Sequence, residues 1–307
     1  MIFLGIDCGT QSTKTIALDW ESGEILASAQ KAYGFVPNLP PGAMEQDPKD
    51  WIEAAEQSIG KVIAKLGALK DEVRGIGVSG QQHGLVVLDQ EDRVVRPAKL
   101  WNDTTTSSQC DQITDHFGGP AGVIALVGNT MRTGYTAPKI LWLRQNEPEN
   151  WKRTRSILLP HDYLNFWLTG TKKMEFGDAS GTALLDVKTR QWSMKLVDYI
   201  ADDLSEKLPL LISSKLPSGT LREGLCRKWG LTKAPSVSAG GRVAWPMDQW
   251  ACDRRDMRVN DPRELIAAAA CESLIRKTTC FAGLNFTTLK LRICRLRSRR
   301  RKRLKSS

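Results

Sequence analysis

Short apolar segments separated by polar residues open the chain. Residues 3–8, 15–19 and 24–29 each form such a segment, which predicts three β-strands. The link between the first two, residues 9–14, is predicted to be a short polar turn. Gly23 lies in the link between the second and the third, where it suits a tight hairpin turn.

Helical spacing replaces this pattern in the middle of the first hundred residues. Asp47 is a good N-cap, Pro48 suits the first helical position, and apolar residues then recur on one helix face until Gly67, the predicted end. Two further strands are predicted at 73–78 and 85–88. Strands, a helix and more strands indicate an α/β fold with mixed strand pairing.

Composition places the chain among ordinary globular proteins. Its 307 residues are 41% hydrophobic and 25% charged, which excludes disorder throughout, collagen-like repeats and coiled coil. No apolar run approaches the ~20 residues of a membrane helix. The first residues lack the basic region of a secretory signal, so a cytoplasmic protein with no membrane partner is expected.

The net charge of +10 is concentrated at one end of the chain. Residues 242–307 carry 17 Lys and Arg against 6 Asp and Glu, whereas residues 1–241 are nearly balanced. Four of the seven cysteines also lie there; the odd total without a secretion signal indicates free thiols, and the spacings in the tail indicate no metal centre. The Arg-rich end lacks interleaved aromatic residues, which favours a solvated charge run over a nucleic-acid site.

The first strand leads into residues that suit phosphate chemistry. Asp7 ends a buried strand, and Gly9, small hydroxyl residues and Lys14 follow it. Backbone N–H groups and hydroxyls in such a turn can cradle phosphate oxygens. Asp7 could hold Mg²⁺ through water, and Lys14 could neutralise phosphate charge. An ordinary polar hairpin with a capping aspartate is the alternative.

A second polar cluster lies between the strands at 73–78 and 85–88. Gln81, Gln82 and His83 stand between Gly80 and Gly84, two glycines that would allow a sharp turn and the close approach of a ligand. Amide and imidazole groups suit the hydroxyls of a sugar, and a solvent-facing loop is the alternative. Residues 101–103, Trp-Asn-Asp, offer similar polar chemistry beside an aromatic platform.

Together these residues resemble the FGGY carbohydrate kinases, and among them the xylulokinases. The resemblance covers residues 1–241. Its segments, in family order, are Gly5-Ile-Asp-Cys-Gly-Thr10, Glu45-Gln-Asp-Pro48, Gly80-Gln-Gln-His-Gly84, Leu100-Trp-Asn-Asp103, Tyr135-Thr-Ala-Pro-Lys-Ile-Leu-Trp142, Leu159-Pro-His-Asp-Tyr-Leu164, Leu168-Thr-Gly170, Asp178-Ala-Ser-Gly-Thr182 and Leu185-Asp186.

The resemblance implies an actin-like, ribonuclease-H-like ATPase fold whose two lobes face each other across a cleft. A ketose sugar binds at the bottom of that cleft and MgATP binds between the lobes. The implied reaction is phosphorylation of the terminal hydroxyl of D-xylulose by ATP, which gives xylulose 5-phosphate. Residues 1–241 would be the N-terminal, sugar-binding lobe.

The resemblance also implies roles for individual residues. Asp7 matches the aspartate near the metal and the phosphoryl group. Gln82 and His83 match the pair that touches the sugar, and His83 favours xylulose over glycerol. The phosphate-contacting loop and the cleft-side substrate motif correspond to Thr10, Gln11, Ser12 and Lys14, and to Asn102 and Asp103, respectively.

The sequence leaves the family pattern after Gly241. Arg242 stands where the family's catalytic base, an aspartate, is expected, and nothing in 242–307 resembles a second kinase domain. We expect 242–307 to be a basic tail translated out of frame, with a genuine lineage-specific tail as the alternative, and the chain to be inactive or nearly so. The alternative is a non-catalytic scaffold whose Arg-rich tail contacts acidic partners or nucleic acid, although nucleic acid is not expected as a partner.

Overall fold

The computed structural model describes residues 1–240. The predictions for Arg242 and the basic tail therefore lie outside the described residues. The strands are β1 (Ile2–Cys8), β2 (Ser12–Asp19), β3 (Ile25–Ala32), β4 (Glu45–Gln46), β5 (Val73–Gly80), β6 (Val86–Leu88), β7 (Ala98–Lys99), β8 (Ser156–Leu158), β9 (Lys173–Glu175), β10 (Leu185–Asp186), β11 (Gln191–Trp192), β12 (Leu210–Ile212), β13 (Pro217–Thr220) and β14 (Ser236–Ser238). The helices are α1 (Pro48–Leu66), α2 (Ser107–His116), α3 (Pro120–Val127), α4 (Thr136–Asn146), α5 (Pro148–Arg153), α6 (Pro160–Thr169), α7 (Phe176–Ser180), α8 (Met194–Ile200) and α9 (Glu223–Trp229).

A six-stranded mixed sheet with the order β13-β14-β5-β1-β2-β3 is the centre of the fold. β1, β2 and β3 form an antiparallel meander, whereas β5 and β14 run parallel to β1. Parallel neighbours require long crossover connections, and those connections carry the helices. The predicted α/β fold with mixed strand pairing is confirmed.

The first hairpin differs from its prediction in one respect that affects the site. β2 begins at Ser12, so residues 12–14 are strand and the turn is only residues 9–11. Strand pairing between Cys8 and Thr13 extends to the tip, where the Gly9 N–H donates to the Ser12 carbonyl at 3.0 Å. Cross-strand pairing, which a local pattern does not contain, overrides the polar character of these residues.

The predicted helix is confirmed as α1, with both of its ends. Asp47 Oδ1 accepts a hydrogen bond from the Lys49 N–H at 2.9 Å, and Gly67 follows the last turn. One face of α1 is buried against β2 and β3, where Trp51 and Ile59 are fully enclosed. The Thr15 and Ser58 hydroxyls share a 2.8 Å hydrogen bond at this contact, so even the polar atoms between helix and sheet are paired.

Two large apolar clusters form most of the core of the described residues. One fills the space between the central sheet, α1, α6 and α9. The other surrounds the β6–β8 pair and includes residues of α4 and α8, such as Ile140 and Val197. Within residues 1–240, no helix is long and apolar enough to cross a membrane.

Candidate functional site

Strand register places the charged residues of the first hairpin on one face of the sheet. Asp7 lies directly opposite Lys14, and Ser12 is two positions before Lys14 on the same strand. Thr13 and Thr15 point the other way and are fully buried, while Ser12 and Lys14 are half-buried. Burial raises the pKa of Asp7 to about 6, and the Lys14 charge partly opposes that shift.

A set of side-chain hydrogen bonds holds the turn at residues 9–11. The Tyr33 hydroxyl donates to the Gly9 carbonyl at 2.5 Å, and Gln46 Nε2 donates to the Thr10 carbonyl at 2.7 Å. Gln81 Nε2 donates to the Gly9 carbonyl at 3.3 Å and to Gln46 Oε1 at 2.9 Å. The turn between Asp7 and Lys14 is therefore fixed from three other segments of the chain.

The hydroxyl groups of this turn already accept hydrogen bonds. Thr10 Oγ1 accepts from Trp101 Nε1 at 3.2 Å, and Ser12 Oγ accepts from Gln30 Nε2 at 2.7 Å. A hydroxyl that accepts still has its own hydrogen to donate, so both groups suit an anionic oxygen. Gln11, the remaining predicted phosphate contact, is exposed at the tip.

His83 adopts a left-handed backbone conformation, with φ of 61°. Two side chains hold its carbonyl oxygen: Lys139 Nζ donates at 2.9 Å and Thr136 Oγ1 at 3.2 Å. Lys139 also donates to the Gly134 carbonyl. Burial lowers the pKa of Lys139 to about 7, although the Asp103 charge acts in the opposite direction. The Tyr135 ring meets the His83 ring edge to face, at 5.0 Å between centroids.

The glycines that flank residues 81–83 serve protein packing, which corrects the prediction of close ligand approach at them. A Cβ atom on Gly84 would lie 2.7 Å from Cγ of Pro160. A Cβ atom on Gly80 would lie 3.3 Å from the Cα atom of His161. The start of α6 occupies this space, and the left-handed conformation falls on His83.

The short helix α7 and the residue after it touch both members of the predicted sugar-binding pair. Gln82 Nε2 donates to Asp178 Oδ1 at 3.4 Å. A Cβ atom on Gly181 would lie only 2.2 Å from Cε1 of His83, so the imidazole packs directly on the glycine backbone. The structure thus brings Asp178 and Gly181 into the candidate site. The sequence had indicated them only as members of a family motif, with no role of their own.

Asp103 is engaged within the protein on both carboxylate oxygens. Oδ2 accepts from Lys99 Nζ and from the Met44 N–H, each at 2.9 Å, and Oδ1 accepts from the Thr105 N–H and hydroxyl. Burial alone would raise the pKa of Asp103, but these hydrogen bonds lower it below its ordinary value. The predicted sugar contact of Asp103 would therefore have to compete with four protein donors.

Of the two residues before Asp103, Trp101 contacts the turn at residues 9–11. The Trp101 ring is 43% exposed, and its indole nitrogen bonds to Thr10 as described above. Asn102 Oδ1 is buried and accepts no hydrogen bond within the described part of the chain. Sequence reasoning did not predict the Trp101–Thr10 contact, because the two residues are 91 positions apart.

Comparison with known proteins gives a consistent family match. The model of the FGGY family of carbohydrate kinases, N-terminal domain, matches residues 2–244. The xylulose kinase of Haemophilus influenzae is 40% identical over 247 residues, which cover 78% of this chain and 50% of that protein. The xylulose kinase of Lactococcus lactis is 41% identical over 238 residues, with 78% and 46% covered. The chain spans about half the length of the curated relatives it matches.

Solved structures agree with this match. The crystal structure of a xyloylose kinase from Brucella ovis is 35% identical, with a TM-score of 0.73 over 78% of this chain and 48% of that one. A xylulose kinase from Rhodospirillum rubrum is 22% identical and has the same fold, with a TM-score of 0.73 over 78% of this chain and 48% of that one. The predicted actin-like ATPase fold is confirmed.

Proposed function

The chain belongs to the FGGY family of carbohydrate kinases, and from this membership we propose that its sugar is D-xylulose and its reaction the transfer of the γ-phosphoryl group of ATP to the terminal hydroxyl. The observation that carries the proposal is the geometry of residues 82 and 83. Gln82 and His83 present an amide and an imidazole beside the Tyr135 ring, which meets the imidazole at 5.0 Å, on a backbone fixed by Lys139. Polar groups held in advance beside an aromatic face suit a polyhydroxylated ligand.

The phosphate end of the site would lie at the first hairpin. Thr10, Gln11 and Ser12 would contact phosphate oxygens through hydroxyl, amide and backbone N–H groups, and Lys14 would balance their charge. Asp7 fits a water-mediated Mg²⁺ ion, because its half-buried carboxylate supplies the hard oxygen donor that Mg²⁺ prefers. When bound, MgATP supplies the phosphoryl group and the charge neutralisation that the transfer needs.

The chain's own contribution to such a transfer is positioning. Gln82 and His83 would orient the sugar so that its terminal hydroxyl faces the hairpin, and the buried walls of the site would exclude water. Asp103 would act indirectly, because its hydrogen bonds to Lys99 and Thr105 fix the loop that carries Asn102. We propose that residues 1–241 are the sugar-binding lobe.

We further propose that this chain turns over slowly or not at all. By the family resemblance, Arg242 would occupy the position of the family's base, and a guanidinium cannot accept the proton of the sugar hydroxyl at neutral pH. The sugar contacts proposed at Gln82 and His83 do not include that base. We therefore expect this chain to bind the sugar without phosphorylating it at an appreciable rate.

A thermal-shift titration with D-xylulose, run beside a coupled assay of ADP release, tests both parts. We expect the melting temperature to rise with sugar concentration and to saturate. His83→Ala should abolish the rise, whereas His116→Ala, at an exposed histidine stacked on Tyr199, should retain it. No rise in the native chain would contradict the sugar assignment, and rapid xylulose-dependent ADP release would contradict the role given to Arg242.

A further inference from the structure

Two sequence motifs that have no role in the proposed function, at the start of α6 and in α7, come together next to the Gln82 side chain. His161 and Asp162 lie in the first turn of α6, and Asp178 lies in α7. All three side chains are buried. His161 Nδ1 is 3.0 Å from Asp178 Oδ2 and 3.2 Å from Asp162 Oδ1. One imidazole nitrogen therefore faces two carboxylates inside the protein.

The neighbours of His161 define its protonation state. Ionised carboxylates only accept hydrogen bonds, so Nδ1 carries a proton. Nε2 is 3.3 Å from Asn165 Nδ2, which as placed would donate to a neutral ring, and the buried Asn165 Oδ1 has no hydrogen-bond partner within residues 1–240. Turning this amide over gives Oδ1 a partner in a protonated Nε2. Both nitrogens are then protonated, and the ring is an imidazolium.

The surrounding charges favour this assignment. Burial alone would lower the pKa of His161, but the Asp178 charge and the contact with Asp162 raise it well above its ordinary value. Burial also raises the pKa of Asp162 to about 6 and that of Glu175 to about 8. The carboxylate that most directly balances the imidazolium is that of Asp178.

The charge of Asp178 determines which way the Gln82 amide points. Asp178 Oδ1 accepts from Gln82 Nε2 at 3.4 Å. An ionised carboxylate cannot donate, so the nitrogen end of the amide must face it and the oxygen end must face away. A protonated or amidated side chain at position 178 could donate, and the Gln82 amide could then turn over.

We propose that His161 and Asp178 are positioning residues for the sugar. The buried imidazolium keeps Asp178 ionised, and Asp178 keeps the oxygen of the Gln82 amide directed at the ligand. This deepens the proposed function and rests on it. It adds a specificity rule: the sugar must present a hydroxyl, which can donate, to Gln82, and a carbonyl oxygen at that point would be rejected.

The first test needs no ligand, and the chain has only three histidines, so its imidazole signals are easily assigned. Long-range ¹H–¹⁵N spectra of the imidazoles report directly which ring nitrogens carry protons. We expect the His161 ring to be doubly protonated at pH 7, because its buried carboxylate partners hold its pKa above the ordinary value. A neutral His161 ring at pH 7 would overturn the proposal. So would a change in its spectrum on adding EDTA, since a bound divalent cation would displace the Nδ1 proton.

The second test uses His161→Gln and Asp178→Asn, with His116→Gln as the matched control for the first. Each of the two site variants should weaken D-xylulose binding about tenfold, the size of a lost hydrogen bond to a charged group. Each should also shift the Gln82 side-chain amide resonance, assigned with Gln82→Glu. His116→Gln should change neither readout. Asp178→Asn keeps the shape of the side chain and serves if His161→Gln does not fold.

These readouts separate the two proposals. If the native chain binds no sugar, the proposed function fails, and the His161 spectrum and the Gln82 resonance still decide the inference. If the native chain binds sugar but both site variants bind equally well with an unmoved Gln82 resonance, the inference is wrong and the proposed function stands.

Discussion

At position 83 a histidine adopts a backbone conformation that is uncommon for any residue with a side chain. Lys139 and Thr136 hold its carbonyl, and Gly181 leaves room for its ring. Such a conformation persists only where the surroundings fix it. His83 could be proposed as a site residue from the sequence. The contact that fixes its backbone could not, because Lys139 is 56 positions away and meets it only in the folded chain.

Lys139→Met should change how stability depends on pH. The pKa of Lys139 is lowered from 10.5 to about 7 in the folded chain. Between these values the unfolded chain binds a proton here that the folded chain lacks, so the native free energy of unfolding rises with pH through this window. We expect the native chain to gain about 2 kcal/mol relative to the variant between about pH 7 and pH 9.

Urea denaturation of both proteins at the two pH values measures this difference. Lys152→Met, at an exposed position, is the control and should follow the native chain. An identical pH dependence in native protein and Lys139→Met would contradict the buried, readily deprotonated state of Lys139.

Gly181→Ala should weaken sugar binding while leaving the fold intact. The backbone of Gly181 has a helical conformation that alanine accepts, so the cost arises from the contact between the new methyl group and the His83 ring. We expect at least a tenfold rise in the dissociation constant for D-xylulose, about 1.4 kcal/mol, because the imidazole must move. Calorimetric titration measures it.

Gly224→Ala is the matched control, since a methyl group there meets no atom within 4 Å. Unchanged affinity in Gly181→Ala would show that the His83 ring moves aside at no cost, against the tight packing described above.

Among the elements, α1 has the strongest signals in the sequence. Its N-cap, first-turn proline and closing glycine are local features, and all were predicted correctly from residues 47–67. The two-residue strands β4 and β7 were not predicted, because they exist only through pairing with each other, and the paired residues are 52 and 54 positions apart. The early start of β2 was missed for the same reason, because residues 12–14 become strand only through pairing with β1 and β3.

Asp47→Ala should destabilise the protein by about 1 kcal/mol, the usual cost of losing a helix N-cap. The Lys49 N–H loses its acceptor, while the buried face of the helix is unchanged. Chemical denaturation measures the loss. Glu53→Ala, on the exposed face of the same helix, should cost much less, and equal losses in the two variants would contradict the capping role.

Lys99→Met should be far more damaging, because it breaks a buried charge cluster that joins β4 and β7. Lys99 Nζ lies 3.3 Å from Glu45 and 2.9 Å from Asp103, and Arg96 lies 2.7 Å from Glu45. Removing one partner of a buried ion pair costs about 3–5 kcal/mol. Arg93→Met, which removes an exposed partner of Asp89, should cost less than about 1 kcal/mol.

Denaturation curves for these two variants test the contrast. A loss in Lys99→Met no larger than that in Arg93→Met would mean that Glu45 and Asp103 find other partners.

For the whole molecule, the pattern of apolar residues predicted the fold class, and the resemblance predicted the architecture. The order of the central sheet was not readable from local sequence. β1 pairs with β5 and β5 with β14, which lie about 70 and 160 residues apart along the chain. Only tertiary packing determines such neighbours, which is why the family motifs carried more information than the strand pattern.

Rates of amide hydrogen exchange should differ between the central strands and the peripheral helices. β1 and β5 are interior strands with buried side chains on both faces. Their amides should exchange slowest, at rates that approach global unfolding. The exposed helices α2 and α3 should exchange much sooner. Faster exchange in β1 than in α3, measured by mass spectrometry, would contradict this order.

Gln81 has a consequence beyond holding a turn. Its backbone immediately precedes Gln82, and its side chain and N–H bind the Gly9 and Cys8 carbonyls. One residue is thus part of both halves of the proposed site, so a ligand that orders one half lowers the entropic cost of ordering the other. We expect positive heterotropic linkage between sugar and nucleotide, reciprocal by thermodynamic necessity. Such a protein would select its sugar and nucleotide as a pair, because each ligand would bind with lower affinity alone than in the presence of the other.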